Sequence, residues 1–85
     1  MVSVKWTENA LHNLDELDAI IRERILHKVS WLEANFERVM PERLHMDLSD
    51  FYKLRVGDYR VVYTISRSKI ITVEAVGHRR DIYRH

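Results

Sequence analysis

Cysteine is missing from this chain altogether, which excludes disulfides and thiolate zinc sites and fits a reducing compartment. Proline occurs once and glycine twice, so no low-complexity or collagen-like segment is present. No apolar run approaches the roughly 18 residues that a membrane-crossing helix needs, and the first residues lack the apolar core of a secretion signal. A cytoplasmic protein with no membrane partner is the expectation. No repeat recurs at a spacing of about 20–50 residues. His12, His27 and His45 stand too far apart in the pattern to suggest a metal site, so neither metal nor cofactor is expected. What remains is a chain of 85 residues, 46% hydrophobic and 32% charged, read as one domain spanning residues 1–85.

Net charge is only +1, yet it is unevenly spread. Residues 1–45 hold six Lys/Arg against eight Asp/Glu, a balance of −2, and residues 46–85 hold eight against five, a balance of +3. From His78 to His85 the chain carries Arg79, Arg80, Arg84 and two histidines against one acid, Asp81. Basic clustering of this kind points weakly toward nucleic acid.

The periodicities predict an α+β domain. Val2–Trp6 alternates as a short strand. Thr7 is placed to cap a helix carrying Ala10, Leu11, Leu14 and Leu17. Asp18 opens a second helix with Ile21, Ile25, Val29, Leu32 and Phe36 along one stripe, the two forming a helical hairpin. Pro41 ends the second helix at or before Met40. Residues 37–50 read as a connector anchored by Leu44 and Leu48. Three strands follow, the last from Lys69 to Gly77. The fold class is therefore β-α-α-β-β-β in two layers, the helical hairpin packed on a small, mainly antiparallel sheet.

The most informative stretch is Phe51 to Thr64. A Gly57-Asp58 turn of type II′ pairs residues whose numbers sum to 115, placing Arg55 opposite Arg60. Tyr52, Leu54, Val56, Tyr59, Val61 and Tyr63 then cover the core, and Lys53, Arg55, Arg60, Val62 and Thr64 share the other face. Guanidinium groups splayed to ~8 Å repel by roughly 2 kcal/mol at an effective dielectric of 20. Two remedies are open: a bound anion such as phosphate, or an Asp or Glu brought in from elsewhere. A turn around Arg67-Ser68 pairs residues summing to 135, which puts Ile71, Val73, Ala75, Gly77 and Arg79 beside Arg60 and Lys53. The small Ala75 and Gly77 would leave a concavity there. The same parity sends Glu74 and His78 to the core face, leaving Glu74 either to pair with Lys5 or Arg22 or to lie at an exposed sheet end.

The strings Tyr52-Lys-Leu-Arg-Val-Gly-Asp-Tyr-Arg-Val-Val-Tyr63 and Val76-Gly-His-Arg-Arg-Asp-Ile-Tyr83 resemble the RelE/ParE superfamily of bacterial and archaeal toxins, and the element order matches over nearly the whole chain. The resemblance implies a toxin of a type II toxin–antitoxin system, without cofactor, with a cognate antitoxin as partner and DNA contacted only indirectly through that antitoxin. It covers two activities: ribosome-dependent mRNA endonucleases of RelE type, acting on mRNA in the ribosomal A site, and gyrase poisons of ParE type. For the RelE type it implies catalytic roles for Arg60, Arg79 and Tyr83. Lys53 matches another basic position of that site. Two departures stand out: Phe51 occupies the family's first basic position on this strand, and a further C-terminal helix is not expected.

RNA cleavage through the 2′-hydroxyl needs a base, positive charge for the phosphorane and a proton for the leaving oxygen. Arginine forks grip phosphate oxygens and stay charged, so Arg60 and Arg79 are expected on the scissile phosphate. Lys53, Arg55, Arg80 and Arg84 are expected to bind RNA. Tyr83, lowered from ~10 by cationic surroundings, is the candidate base, with His78 or His85 as substitutes. The duller readings are a structural Tyr83 and His78, and a degenerate, non-toxic binding module.

Overall fold

A computed structural model describes residues 2–45 and 48–82. Its elements are β1 (Ser3–Trp6), α1 (Glu8–Asp15), α2 (Ala19–Asn35), a 3-10 turn (Phe36–Arg38), β2 (Glu42–His45), β3 (Leu48–Val56), β4 (Tyr59–Ile65), β5 (Ile70–His78) and α3 (Arg79–Ile82). Five strands form one sheet in the order β1-β5-β4-β3-β2, with β1 parallel to β5 and the remaining neighbours antiparallel.

The helices start where the sequence places their caps. Thr7 is extended, and its Oγ1 accepts a hydrogen bond from Ala10 N–H, satisfying one of the free donors of the first turn. Asp18 occupies the cap position of α2 but makes no side-chain cap bond, so that helix rests on packing. Ile25, Val29 and Leu32 are buried from the predicted stripe, with Ile21 and Phe36 packed partly against them. Ala10 and Leu14 of α1 join the same core, which meets Leu54, Val61, Tyr63, Ile71, Val73 and Val76 of the sheet. Trp31 stays 44% exposed, with Lys28 Nζ 4.0 Å from its ring centre.

The β3–β4 hairpin has the predicted register: Tyr52 pairs with Tyr63, Leu54 with Val61, Arg55 with Arg60, and Val56 with Tyr59. Gly57 takes φ of +60°, as the first central position of a type II′ turn requires, and Asp58 is not in the positive-φ region.

Four expectations are corrected. The connector over 37–50 contains β2 and the first residues of β3. Arg43 pairs with Tyr52 and Glu42 with Lys53, then the register slips before His45. Glu42-Arg43-Leu44-His45 forms a strand because β3 offers it an open edge; its own apolar content is a single residue, Leu44, which is buried.

The β4–β5 register is not the constant sum of 135. Ile65 pairs with Ile71, a sum of 136, because Lys69 adopts the left-handed conformation (φ 61°) and adds a residue to the turn. A second shift between Val62 and Tyr63 bulges the strand at Glu74, so that Val62 pairs with Ala75 and Arg60 with Gly77, a sum of 137. Two one-residue shifts restore the original parity. Ala75 and Gly77 therefore lie on the face of Arg60 as expected, while Ile71 and Val73, between the shifts, turn into the core.

Glu74 escapes the apolar interior through its bulge. Its carboxylate accepts from the Thr64 hydroxyl at 3.0 Å, rather than pairing with Lys5 or Arg22. Its carbonyl accepts from Thr7 Oγ1 at 3.2 Å and from Asn9 Nδ2 at 3.0 Å, and Asn13 Oδ1 takes the Val76 N–H at 3.1 Å. Beyond the end of β1, side chains of α1 thus complete the hydrogen bonding of β5. Finally, the tail is not a plain strand extension: Arg79 opens a helical turn, α3, where no helix was expected.

Candidate functional site

Strand alternation gathers Lys53 and Arg55 of β3 with Arg60 and Val62 of β4 on the sheet face away from the helices. Val62 is buried without belonging to the helix-side core. The opposing positions on β5 are the small residues Ala75 and Gly77.

Arg60 is the most unusual residue of this face. It is 8% exposed, the one charged residue buried among those described. One terminal nitrogen, NH1, donates to the carbonyls of Tyr59 at 3.1 Å and Gly57 at 3.4 Å. Its Nε is the single buried side-chain polar atom without a partner among the described residues, and no described carboxylate pairs with it. A buried cation held only by carbonyl dipoles is an electrostatic deficit that an anion relieves.

Arg55 resolves the predicted clash differently. It faces Arg60 across the ladder, but its NH2 reaches the edge strand and donates to Glu42 Oε2 at 2.8 Å. The same oxygen lies 3.3 Å from Lys53 Nζ. Partial burial pushes the Glu42 carboxyl up, but the hydrogen bonds and positive charge of Lys53 and Arg55 outweigh this and hold it below the usual carboxylate range. Of the two remedies open from sequence, an acid from elsewhere serves Arg55, and Arg60 is left without one. Glu42 was missed because it sits on the strand that was read as connector; only the pairing of β2 with β3 sets it beside Lys53.

Arg79 stands at the same end of the face. Its N–H donates to Asp58 O at 2.9 Å, continuing the register that pairs Arg60 with Gly77. The Gly57-Asp58 turn therefore holds the Arg60 guanidinium on one carbonyl and the Arg79 backbone on the next. Arg79 and Arg80 are exposed. His78 pairs with Tyr59 on the opposite face, its ring edge-on to Tyr59 at 5.5 Å, and its Nδ1 accepts from Arg80 N–H at 3.2 Å. Tyr83, Arg84 and His85 lie outside the described residues.

A shallow groove of about 260 Å³ borders the face, where Lys28, Trp31 and Met40 meet Lys53 and Arg55. Met40 is 89% exposed. A larger cavity of about 530 Å³ lies apart from these residues, between Val2 and the end of α2.

Comparison with known proteins gives this geometry a family. The model of the ParE toxin of type II toxin–antitoxin systems matches residues 4–83. No curated protein sequence matches the chain. Among solved structures, the intact RelBE toxin–antitoxin complex of E. coli contains a chain 30% identical, with TM-score 0.62, the match covering 92% of this chain and 96% of that one. The RelBE2 complex of Mycobacterium tuberculosis is similar at 25% identity and TM-score 0.79, over 92% of this chain and 98% of that one. The RelB–RelE complex of Methanococcus jannaschii, at 20% identity and TM-score 0.74 over 95% and 96% of the two chains, shares the fold. The chain belongs to the ParE toxin family of the RelE/ParE superfamily: it is a toxin of a type II toxin–antitoxin system, built on the RelE fold.

Proposed function

We propose that this toxin is a ribosome-dependent mRNA endonuclease that arrests translation. The observation that carries the reading is Arg60, a buried guanidinium with an unpartnered Nε and no carboxylate partner among the described residues, on a sheet face that also holds Lys53 and Arg55. Such a residue presents positive charge that a phosphate would neutralise. In the proposed reaction the RNA 2′-oxygen attacks the adjacent phosphorus and the P–O5′ bond breaks, leaving a cyclic phosphate and a 5′-hydroxyl. Arg60 and Arg79 bind the non-bridging oxygens, where negative charge grows in the transition state. Lys53 and Arg55 bind the same strand, as do Arg80 and Arg84. Tyr83 takes the 2′-hydroxyl proton and the leaving oxygen gains one. His85 is the alternative acid or base, and His78 serves the fold through Tyr59 and the start of α3.

Single-turnover cleavage of mRNA on programmed ribosomes tests the assignment. Arg60→Ala, Arg79→Ala and Tyr83→Phe each lose about 10²–10³-fold, the usual consequence of removing one transition-state donor or base. Wild-type rates in all three remove it.

The ParE family match favours a second reading, inhibition of DNA gyrase without nuclease chemistry. Expression in cells separates the two: primer extension shows new mRNA ends under the first reading, and a DNA-damage response without mRNA cleavage appears under the second. In either case a cognate antitoxin is the proposed partner, as in the complexes formed by the related toxins. Exposed Trp31 and Met40 lie along the groove that reaches Lys53 and Arg55, so a partner anchored there covers the cations.

A further inference from the structure

We propose that Glu42 is a built-in counter-anion of the basic face, which an RNA phosphate must displace and which thereby sets the affinity of the face for RNA. The inference rests on the nucleic-acid reading of that face and adds a residue which that reading did not contain.

Three observations carry it. First, one carboxylate oxygen, Oε2, bridges Arg55 NH2 at 2.8 Å and Lys53 Nζ at 3.3 Å. A phosphate oxygen held by two cations takes the same bridging position. Second, the two cations differ in exposure: the Lys53 side chain is 13% exposed and Arg55 58%. The carboxylate at 47% is reachable from solvent, so an incoming anion can exchange with it without unfolding anything. Third, Glu42 comes from the short edge strand β2, whose register with β3 already slips two residues later. Its own pairing with Lys53 in the ladder sets the carboxylate beside both cations.

The exchange is of one negative charge for another on the same two donors. In the wild type, RNA therefore gains little from Arg55, and Arg60, which no described carboxylate pairs, dominates selection of the phosphate. Removal of the Glu42 charge releases Arg55 NH2 to RNA.

The test is binding of a 2′-O-methylated RNA hexamer, which cannot be cleaved, by fluorescence anisotropy without ribosomes at several salt concentrations. Glu42→Gln binds about 2- to 5-fold tighter than wild type, the worth of the exposed Arg55 ion pair. Its affinity also falls more steeply with salt, by about 0.7 in the log–log slope, for one further phosphate charge neutralised on a single strand. In the double variant with Arg55→Gln the gain disappears. Glu33→Gln, which alters net charge equally from α2, leaves affinity near wild type. Glu42→Asp, which keeps the charge and shortens the reach, falls between wild type and Glu42→Gln and serves as the test if the glutamine variant is unstable. Unchanged or weaker binding by Glu42→Gln, no binding by any variant at low salt, or an equal gain from Glu33→Gln overturns the proposal. Failure of the nuclease reading shows separately, as intact mRNA on ribosomes with the binding gain preserved.

Discussion

Arg60 trades stability for its place on the sheet, and the trade is measurable. Arg60→Met keeps most of the apolar stem and removes the charge and all donors. Three effects compete. The mutation abolishes repulsion from Arg55, roughly 2 kcal/mol at ~8 Å and a dielectric of 20, less whatever Glu42 already screens. It also ends the burial of a cation with no carboxylate, whose effective desolvation is of the order of several kcal/mol per ion. Against these stands the loss of the hydrogen bond to Tyr59 O at 3.1 Å, worth about 1.5–3 kcal/mol for a charged donor; the 3.4 Å contact to Gly57 O adds little. The balance favours the variant by at least about 1 kcal/mol, which in a domain of this size raises Tm by roughly 4–8 °C or more. Urea unfolding read by circular dichroism shows a higher midpoint with unchanged slope. Phosphate at constant ionic strength stabilises the wild type and not the variant, because only the former binds it when folded. A variant destabilised by more than about 1 kcal/mol, or equally stabilised by phosphate, refutes the view of Arg60 as an anion-seeking residue.

Two further predictions concern the scaffold. Burial pushes the Tyr63 hydroxyl up to about 12 from its ordinary 10. The unfolded chain then ionises first, so this contribution to stability is intact below pH ~10 and is lost as pH rises toward 12, a total of about 2–3 kcal/mol. Tyr63→Phe flattens that limb of the pH–stability curve, and an unchanged limb contradicts the assignment. Gly57→Ala meets no atom within 4 Å, yet must hold φ near +60°, so it loses about 1–2 kcal/mol through backbone strain alone. A neutral effect in thermal melts shows that the turn changes type instead.

The chain states its hairpin openly. Gly57 supplies the one conformation that fixes the β3–β4 register, and alternation on either side does the rest. What it conceals follows from residues that act against their type. Lys69 holds a left-handed turn position usually marked by Gly or Asn, so nothing in the string reveals the extra residue. Glu74 bulges because α1 offers Thr7 and Asn9 to its carbonyl, a contact across more than sixty residues. β2 exists only as a guest of the β3 edge. Of the site, Lys53, Arg55 and Arg60 were legible on one face from parity, whereas Glu42 needed tertiary pairing to be seen. The face of Gly77 came out right because two unseen shifts together restore parity, while the direct partner of Arg60 moved from Ala75 to Gly77.

That restored parity depends on α1. Asn9 and Asn13 hold the bulge and the strand after it, and the bulge decides which residues of β5 look toward Arg60. The N-terminal helix lies on the far side of the sheet from the basic face, yet it governs the phase of the strand that lines it. Substitutions in this helix are consequently expected to alter a surface that it never meets, by turning a neighbouring strand half a step.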